Sequence, residues 1–265
     1  MQTNMKNTIE NKNNLSQDTE GINSFLTESE ISVIIDRLSF VKKHLNSGSW
    51  LDLCCGQGLC TSLIKFKNNI IYYGLDLIKS NCMITREVRK ANVVCGDAEN
   101  LPFKNQSFNI VTLLAGIYYL NREKVIPEIN RVLKKEGVFI FDTSNCQLPG
   151  FHKARETKEY FSSENWIIYL NQLGFKVKCY ESNQKFNASH YENIFYYFKK
   201  TIKFFLFKIP FFKKYFHNLS IKYKSKFYFD MNYLDRSLKN NNSWIVLNKK
   251  NVSNSLVVYF ICKKV

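Results

Sequence analysis

Residues Trp50-Leu51-Asp52-Leu53-Cys54-Cys55-Gly56-Gln57-Gly58-Leu59 run from a short apolar stretch through an acid into a glycine-bearing turn. The turn opens onto a segment that reads as a helix. A strand–turn–helix of this kind brings backbone close to a small ligand. Alone it is a weak signal, because a Gly-x-Gly turn is most often only a tight connection. Two further acids, Asp76 and Asp97, stand at the ends of the next two apolar runs. Three strand ends that agree constrain the fold far more than one turn.

The rest of the chain continues the alternation. A helix is expected over about 28–45, with Thr27-x-x-Glu30 as its capping box and Ile31, Ile34, Leu38, Val41 and Leu45 at helical spacing. Strands are expected at 49–53, 70–75, 92–95, 108–114, 138–141, 175–179 and 255–261. Helices are expected at 59–66, 80–89 and 163–173. Another carries Val125, Ile129, Val132 and Leu133 on one face; it is expected to start late, so that Pro127 falls in its first turn, and to end at Lys134-Lys135-Glu136-Gly137. Consecutive β/α units argue for a Rossmann-like, doubly wound, mostly parallel α/β sheet of about seven strands with helices on both faces. Such sheets bind ligands at the C-terminal ends of their strands, where Asp52, Asp76 and Asp97 fall.

Four units are expected. They are a polar, poorly ordered tail (1–24), a core (25–182), a helical basic and aromatic insertion (183–250) and a last core strand (251–265). The tail has no apolar stretch of the signal-peptide kind, and no apolar run reaches the ~18 residues of a spanning helix. The eight cysteines form no C-x-x-C pair. Buried thiols in a reducing cytoplasm are expected, with no metal site. Cys54-Cys55 is read as packing beside the turn rather than as a nucleophile.

The motifs resemble those of class I S-adenosylmethionine-dependent methyltransferases, in particular the small-molecule, ubiquinone-biosynthesis-like domains. Leu51-Asp52-Leu53-Cys54-Cys55-Gly56-Gln57-Gly58 is similar to the family's first motif, and Gly74-Leu75-Asp76 to its acidic second-strand motif. Cys95-Gly96-Asp97-Ala98-Glu99-Asn100-Leu101-Pro102-Phe103 resembles the segment that touches adenine. Phe108-Asn109-Ile110-Val111 and Leu133-Lys134-Lys135-Glu136-Gly137-Val138 resemble the fourth and fifth strand entries. The resemblance implies S-adenosylmethionine as methyl donor. It implies cofactor contacts from Asp52, Cys54, Gly56, Gly58, Asp76, Leu77, Asp97, Ala98 and Leu114. The family often has glycine where Cys54 stands. A pyridine-dinucleotide site would want a third glycine where this chain has Thr61.

The physical chemistry agrees. Asp52 suits a sulfonium and ammonium directly or through the turn it braces. Gly56 and Gly58 admit close backbone approach. Asp76 can accept from both ribose hydroxyls. Asp97 can accept from the adenine amine, the Ala98 backbone can reach a ring nitrogen, and Leu77 can pack on the base. The backbone at Leu114 or Ala115 would face the methionine portion. Transfer of an activated methyl needs in-line placement above all. Tyr118 and Tyr119 are candidates for the acceptor pocket or for edge packing. His152 and His190 lie outside the motifs. No catalytic base is assigned.

Charge separates donor from acceptor. Residues 1–150 carry net +2 and residues 151–265 net +14. Between Phe195 and Phe229 there are 9 lysines and 15 aromatic residues and no acid. The segment is read as a lid over a lipid- or glycan-linked acceptor, a peripheral membrane patch, an RNA-docking surface or a local aromatic core. Scarce arginine weakens the nucleic-acid reading. The expectation is a cytoplasmic enzyme, peripheral at the inner membrane surface if the patch meets lipid, that methylates a small-molecule, glycan or lipid-linked acceptor. An RNA methyltransferase and a non-catalytic scaffold are the alternatives.

Overall fold

The computed structural model describes residues 28–66, 69–148, 151, 153–154, 156–183, 244, 246–247 and 255–265. The expected polar tail, His152, His190 and nearly all of the basic insertion lie outside the described residues.

Seven strands form one sheet: β1 (Gly48–Leu53), β2 (Ile70–Asp76), β3 (Asn92–Cys95), β4 (Phe108–Leu113), β5 (Leu133–Ser144), β6 (Phe175–Glu181) and β7 (Val257–Lys264). Their order is β3-β2-β1-β4-β5-β7-β6. The pairs among β1 to β5 are parallel, and β7 runs antiparallel to both β5 and β6. The chain winds outward from β1 to β3, then returns to the other side of β1 as β4. The topological switch point therefore lies between β1 and β4, the place where sheets of this kind bind ligands at their strands' C-terminal ends.

Alternation along each strand sorts side chains onto two faces. Leu51, Leu53, Val111, Leu113, Phe139, Phe141 and Phe260 join one core. That core is closed by α3 (Arg122–Val132) through Val125 and Ile129, and by α4 (Ser163–Gln172) through Trp166 and Leu170. Trp50, Ile110, Ile140 and Tyr259 join the other core. It is closed by α1 (Glu28–His44) through Leu38, Phe40 and Val41. Phe40 is fully buried and stacks on Tyr259 at 4.4 Å between ring centroids. A short helix, α2 (Lys79–Glu87), follows β2.

Three local expectations are corrected. Helix α3 starts early, at Arg122, because the Asn121 side chain caps it by accepting from Glu123 N–H at 2.9 Å. Pro127 sits inside the helix on its exposed side, so water can satisfy the carbonyl that the missing N–H leaves over. Lys134–Gly137 does not end that helix but lies within β5. Phe108 pairs with Leu133 and Ile110 with Val138, so the intervening residues bulge out, with Glu136 at φ 63°. Finally, Leu59–Phe66 is a 3-10 helix. Thr61 and Ser62 hydroxyls donate back to the Gly58 and Leu59 carbonyls at 2.6 and 2.8 Å, a pattern that competes with α-helical bonding.

Candidate functional site

The turn after β1 is held open by its backbone conformation. Cys54, Gly56 and Gly58 have φ of 52°, 53° and 75°. A Cβ added to Gly56 would meet nothing within 4 Å, so open space lies against the turn there. A Cβ on Gly58 would come within 2.9 Å of Thr85 Cγ2, so glycine is required by α2 packing as well as by φ. Cys54 carries a side chain in the left-handed region, which costs about 1 kcal/mol relative to glycine.

Strand β2 anchors the turn. Cys55 N–H donates to the Leu75 carbonyl at 3.1 Å, and Gly56 N–H to Asp76 Oδ2 at 2.8 Å. The other oxygen of Asp76 accepts from Ile78 N–H at 2.9 Å and Asn81 Nδ2 at 3.2 Å. One carboxylate thus ties the glycine turn to the start of α2. After β3, Asp97 Oδ1 accepts from Glu99 N–H at 2.9 Å, and the Asp97 carbonyl from Asn100 N–H at 3.0 Å. Its side chain folds back on its own turn. Ala98 is buried in the core with Leu101, whereas Leu77 is half-buried at the end of β2.

Asp52 is not grouped with these. It lies one register row short of the end of β1, opposite Gly74 and Thr112, on the face covered by α1. Only 2% of it is exposed. Thr112 Oγ1 donates to one carboxylate oxygen at 2.6 Å and Tyr72 OH to the other at 3.1 Å. The Trp50 indole N–H donates to Thr112 Oγ1 at 2.9 Å. Burial pushes the Asp52 carboxyl up to about 6, against the pull of its bonds to Thr112, Cys60 and Tyr72. Asp52 therefore braces the strand and the 3-10 helix behind the turn.

Two residues that sequence reasoning passed over complete the far wall. Asp142, fully buried near the end of β5, accepts Ala115 N–H on Oδ1 at 2.7 Å and Arg37 Nε on Oδ2 at 2.8 Å. Ala115, with φ 52°, follows the half-buried Leu114. A Cβ on Gly116 would approach Cys54 Cβ to 3.2 Å, so the loop after β4 and the glycine turn adjoin. Burial opposes the charge on Arg37, but Asp142 outweighs it and the guanidinium pKa rises. The signals were present: Asp142 ends an apolar run just as Asp76 does, and Arg37 interrupts the apolar helix of 31–45. Tyr118 stacks on Tyr160 at 5.2 Å, and Phe151 meets Tyr160 edge-on at 4.8 Å. Burial raises the Tyr118 phenol, so it stays protonated. Burial likewise raises the Cys55 and Cys60 thiols, which makes them poor nucleophiles.

Comparison with known proteins follows the same residues. The family described as a methyltransferase domain matches residues 51–141. A demethylmenaquinone methyltransferase of Staphylococcus saprophyticus is 32% identical over 176 residues, covering 58% of this chain and 76% of that protein. An uncharacterised protein of Methanocaldococcus jannaschii is 34% identical over 114 residues, but the matched stretch spans only 42% of this chain and 43% of the relative. Among solved structures, a SAM-dependent methyltransferase from Thermotoga maritima shares the fold with a TM-score of 0.54 at 18% identity, over 90% of this chain and 95% of that one. The strand order, the glycine turn between β1 and β2, and these likenesses agree: the chain belongs to the class I S-adenosylmethionine-dependent methyltransferase family.

Proposed function

We propose that this chain transfers a methyl group from S-adenosylmethionine to a small-molecule acceptor. The observation that carries the reading is the Asp76 carboxylate joined to Gly56 beside open space at the topological switch point. An acid in that place accepts from ribose hydroxyls, and Asp76 Oδ2, which takes one bond from Gly56 N–H, has a lone pair to spare. Asp97 and the Ala98 backbone take the adenine, Leu77 packs on it, and the Leu114 backbone faces the methionine portion. Gly56, Gly58 and Cys54 form the floor that the donor lies along. Asp52 acts through that floor, by fixing it from behind.

The donor supplies, when bound, a methyl already activated on a sulfonium. The protein's share is placement and exclusion of water. The relative from Staphylococcus saprophyticus, named for demethylmenaquinone, supports an apolar ring acceptor with a lipid tail. The rings of Tyr118, Tyr160 and Phe151 beyond Ala115 suit a flat acceptor. The lysine-and-aromatic segment between Phe195 and Phe229 suits delivery of such an acceptor from an anionic lipid surface. Among the described residues no helix is long and apolar enough to cross a membrane.

Calorimetry with S-adenosylhomocysteine tests the donor half. Wild type binds, and Asp76→Ala weakens binding by about 30-fold or more, from loss of charge-assisted bonds. No binding by wild type would sink the proposal. Transfer of labelled methyl to demethylmenaquinol-type quinols and to lipid extracts tests the acceptor half. Label found in RNA but in neither quinol nor lipid overturns that half.

A further inference from the structure

The geometry points to Arg37 as the residue that takes the α-carboxylate at the amino-acid end of the donor, with Asp142 holding its guanidinium in place. This rests on the donor reading above and goes further, by giving a task to a residue outside every sequence motif.

Arg37 sits in α1 beside the buried Leu38, Phe40 and Val41, where a cation is tolerated only with a partner. Its partner is Asp142, but the pairing is single-point. Nε donates to Oδ2 at 2.8 Å, while Oδ1 is committed to Ala115 N–H at 2.7 Å. A purely structural arginine–carboxylate pair commonly closes as a two-bond fork, using both oxygens. Here the carboxylate is shared with backbone, and the terminal end of the guanidinium fork is left over. Among the described residues, Nη1 and Nη2 have no hydrogen-bond partner, and 18% of the side chain stays exposed. These are four donor hydrogens with the planar spacing that matches a carboxylate.

Their position follows from the same contacts. Asp142 links Arg37 directly to the backbone of Ala115, next to Leu114, the wall assigned to the methionine portion. That loop in turn adjoins Cys54 of the glycine turn. The charge also fits. The α-amino-acid group is a zwitterion, and the Arg37–Asp142 pair beside it is itself neutral, so the carboxylate gains a cation without an unbalanced pair being added to the site. A simple anion would leave an excess negative charge in a buried place.

Two ligands separate this assignment from a structural role. S-adenosylhomocysteine carries the carboxylate, whereas 5′-methylthioadenosine keeps the adenosine and lacks the amino-acid end. Calorimetry on the full chain is expected to show that Arg37→Met weakens S-adenosylhomocysteine about tenfold or more and 5′-methylthioadenosine less than twofold. If Arg37→Met does not fold, Arg37→Lys serves, since it keeps the charge and loses the fork; the same selective loss is expected, at least fivefold. Equal losses for both ligands, or no loss for either, overturn the assignment while leaving the donor reading intact. Wild type that binds neither ligand overturns both.

Discussion

Asp52→Asn is the sharpest test of how the site wall is built. The carboxyl is 2% exposed, and burial holds it at about 6 against an ordinary 3.8. A raised carboxyl pKa means that the folded protein holds the proton more tightly than the unfolded chain. The stabilisation from that proton is complete below about 3.8 and is lost as pH rises through about 6. At 1.36 kcal/mol per pH unit, the gap is worth about 3 kcal/mol. The substitution removes this titration and little else, because the amide oxygen can still accept from Thr112. Urea unfolding of both proteins from pH 3.5 to 8 isolates the effect, since every other group cancels between them. The stability of wild type relative to Asp52→Asn is expected to fall by about 3 kcal/mol across that range, mostly between pH 4 and 6.5. A difference that stays flat with pH would show that Asp52 is solvated or already compensated, and would refute the burial argument.

Two further substitutions probe the same frame. Cys54→Gly relieves a left-handed residue at the turn and is expected to stabilise the protein by about 1 kcal/mol, seen as a rise in the thermal midpoint of the ligand-free protein; a fall in midpoint would mean that the thiol packs better than the backbone is strained. Phe40→Ala removes a fully buried ring with Tyr259, Trp244, Tyr180 and His44 around it and is expected to cost about 3–5 kcal/mol in urea unfolding; a loss below about 1 kcal/mol would mean that α1 does not pack on the sheet as described.

The sheet was legible because strands of a doubly wound fold announce themselves as short apolar runs with acids at their ends. Asp76 and Asp97 were found that way. Burial was less legible. Asp52 has the same local pattern as Asp76, yet it falls one row short of the strand end and faces α1, so its carboxylate is turned into the interior against Thr112 and Tyr72. Only the register between β1, β2 and β4 distinguishes the two acids. The bulge at Lys134–Gly137 was hidden because its two lysines, glutamate and glycine also make a good helix end. Arg37 and Asp142 were hidden by their 105-residue separation. No local pattern reports a contact of that span.

Alternation explains why the overlooked residues gather where they do. Asp52 and Thr112 share a register row, two residues beyond the apolar Trp50 and Ile110 of the same face. Asp142 stands on that face too, two residues beyond Ile140, which is paired with Thr112. The α1 side of the sheet is therefore apolar toward the start of its central strands and polar toward their C-terminal ends. Helix α1 meets both parts: Phe40 and Val41 lie in the apolar core, while Arg37 joins Asp142 and Asp36 accepts from Tyr259 OH at 2.7 Å. A helix fixed by ionic and hydrogen-bonded contacts at one end of the sheet is fixed in rotation as well as in distance. On the assignment proposed for Arg37, that rotation is what turns the unused end of its guanidinium toward the donor. The donor wall and the fold's polar seam are on this argument one structure, which is why a substitution at Arg37 must be read with two ligands rather than one.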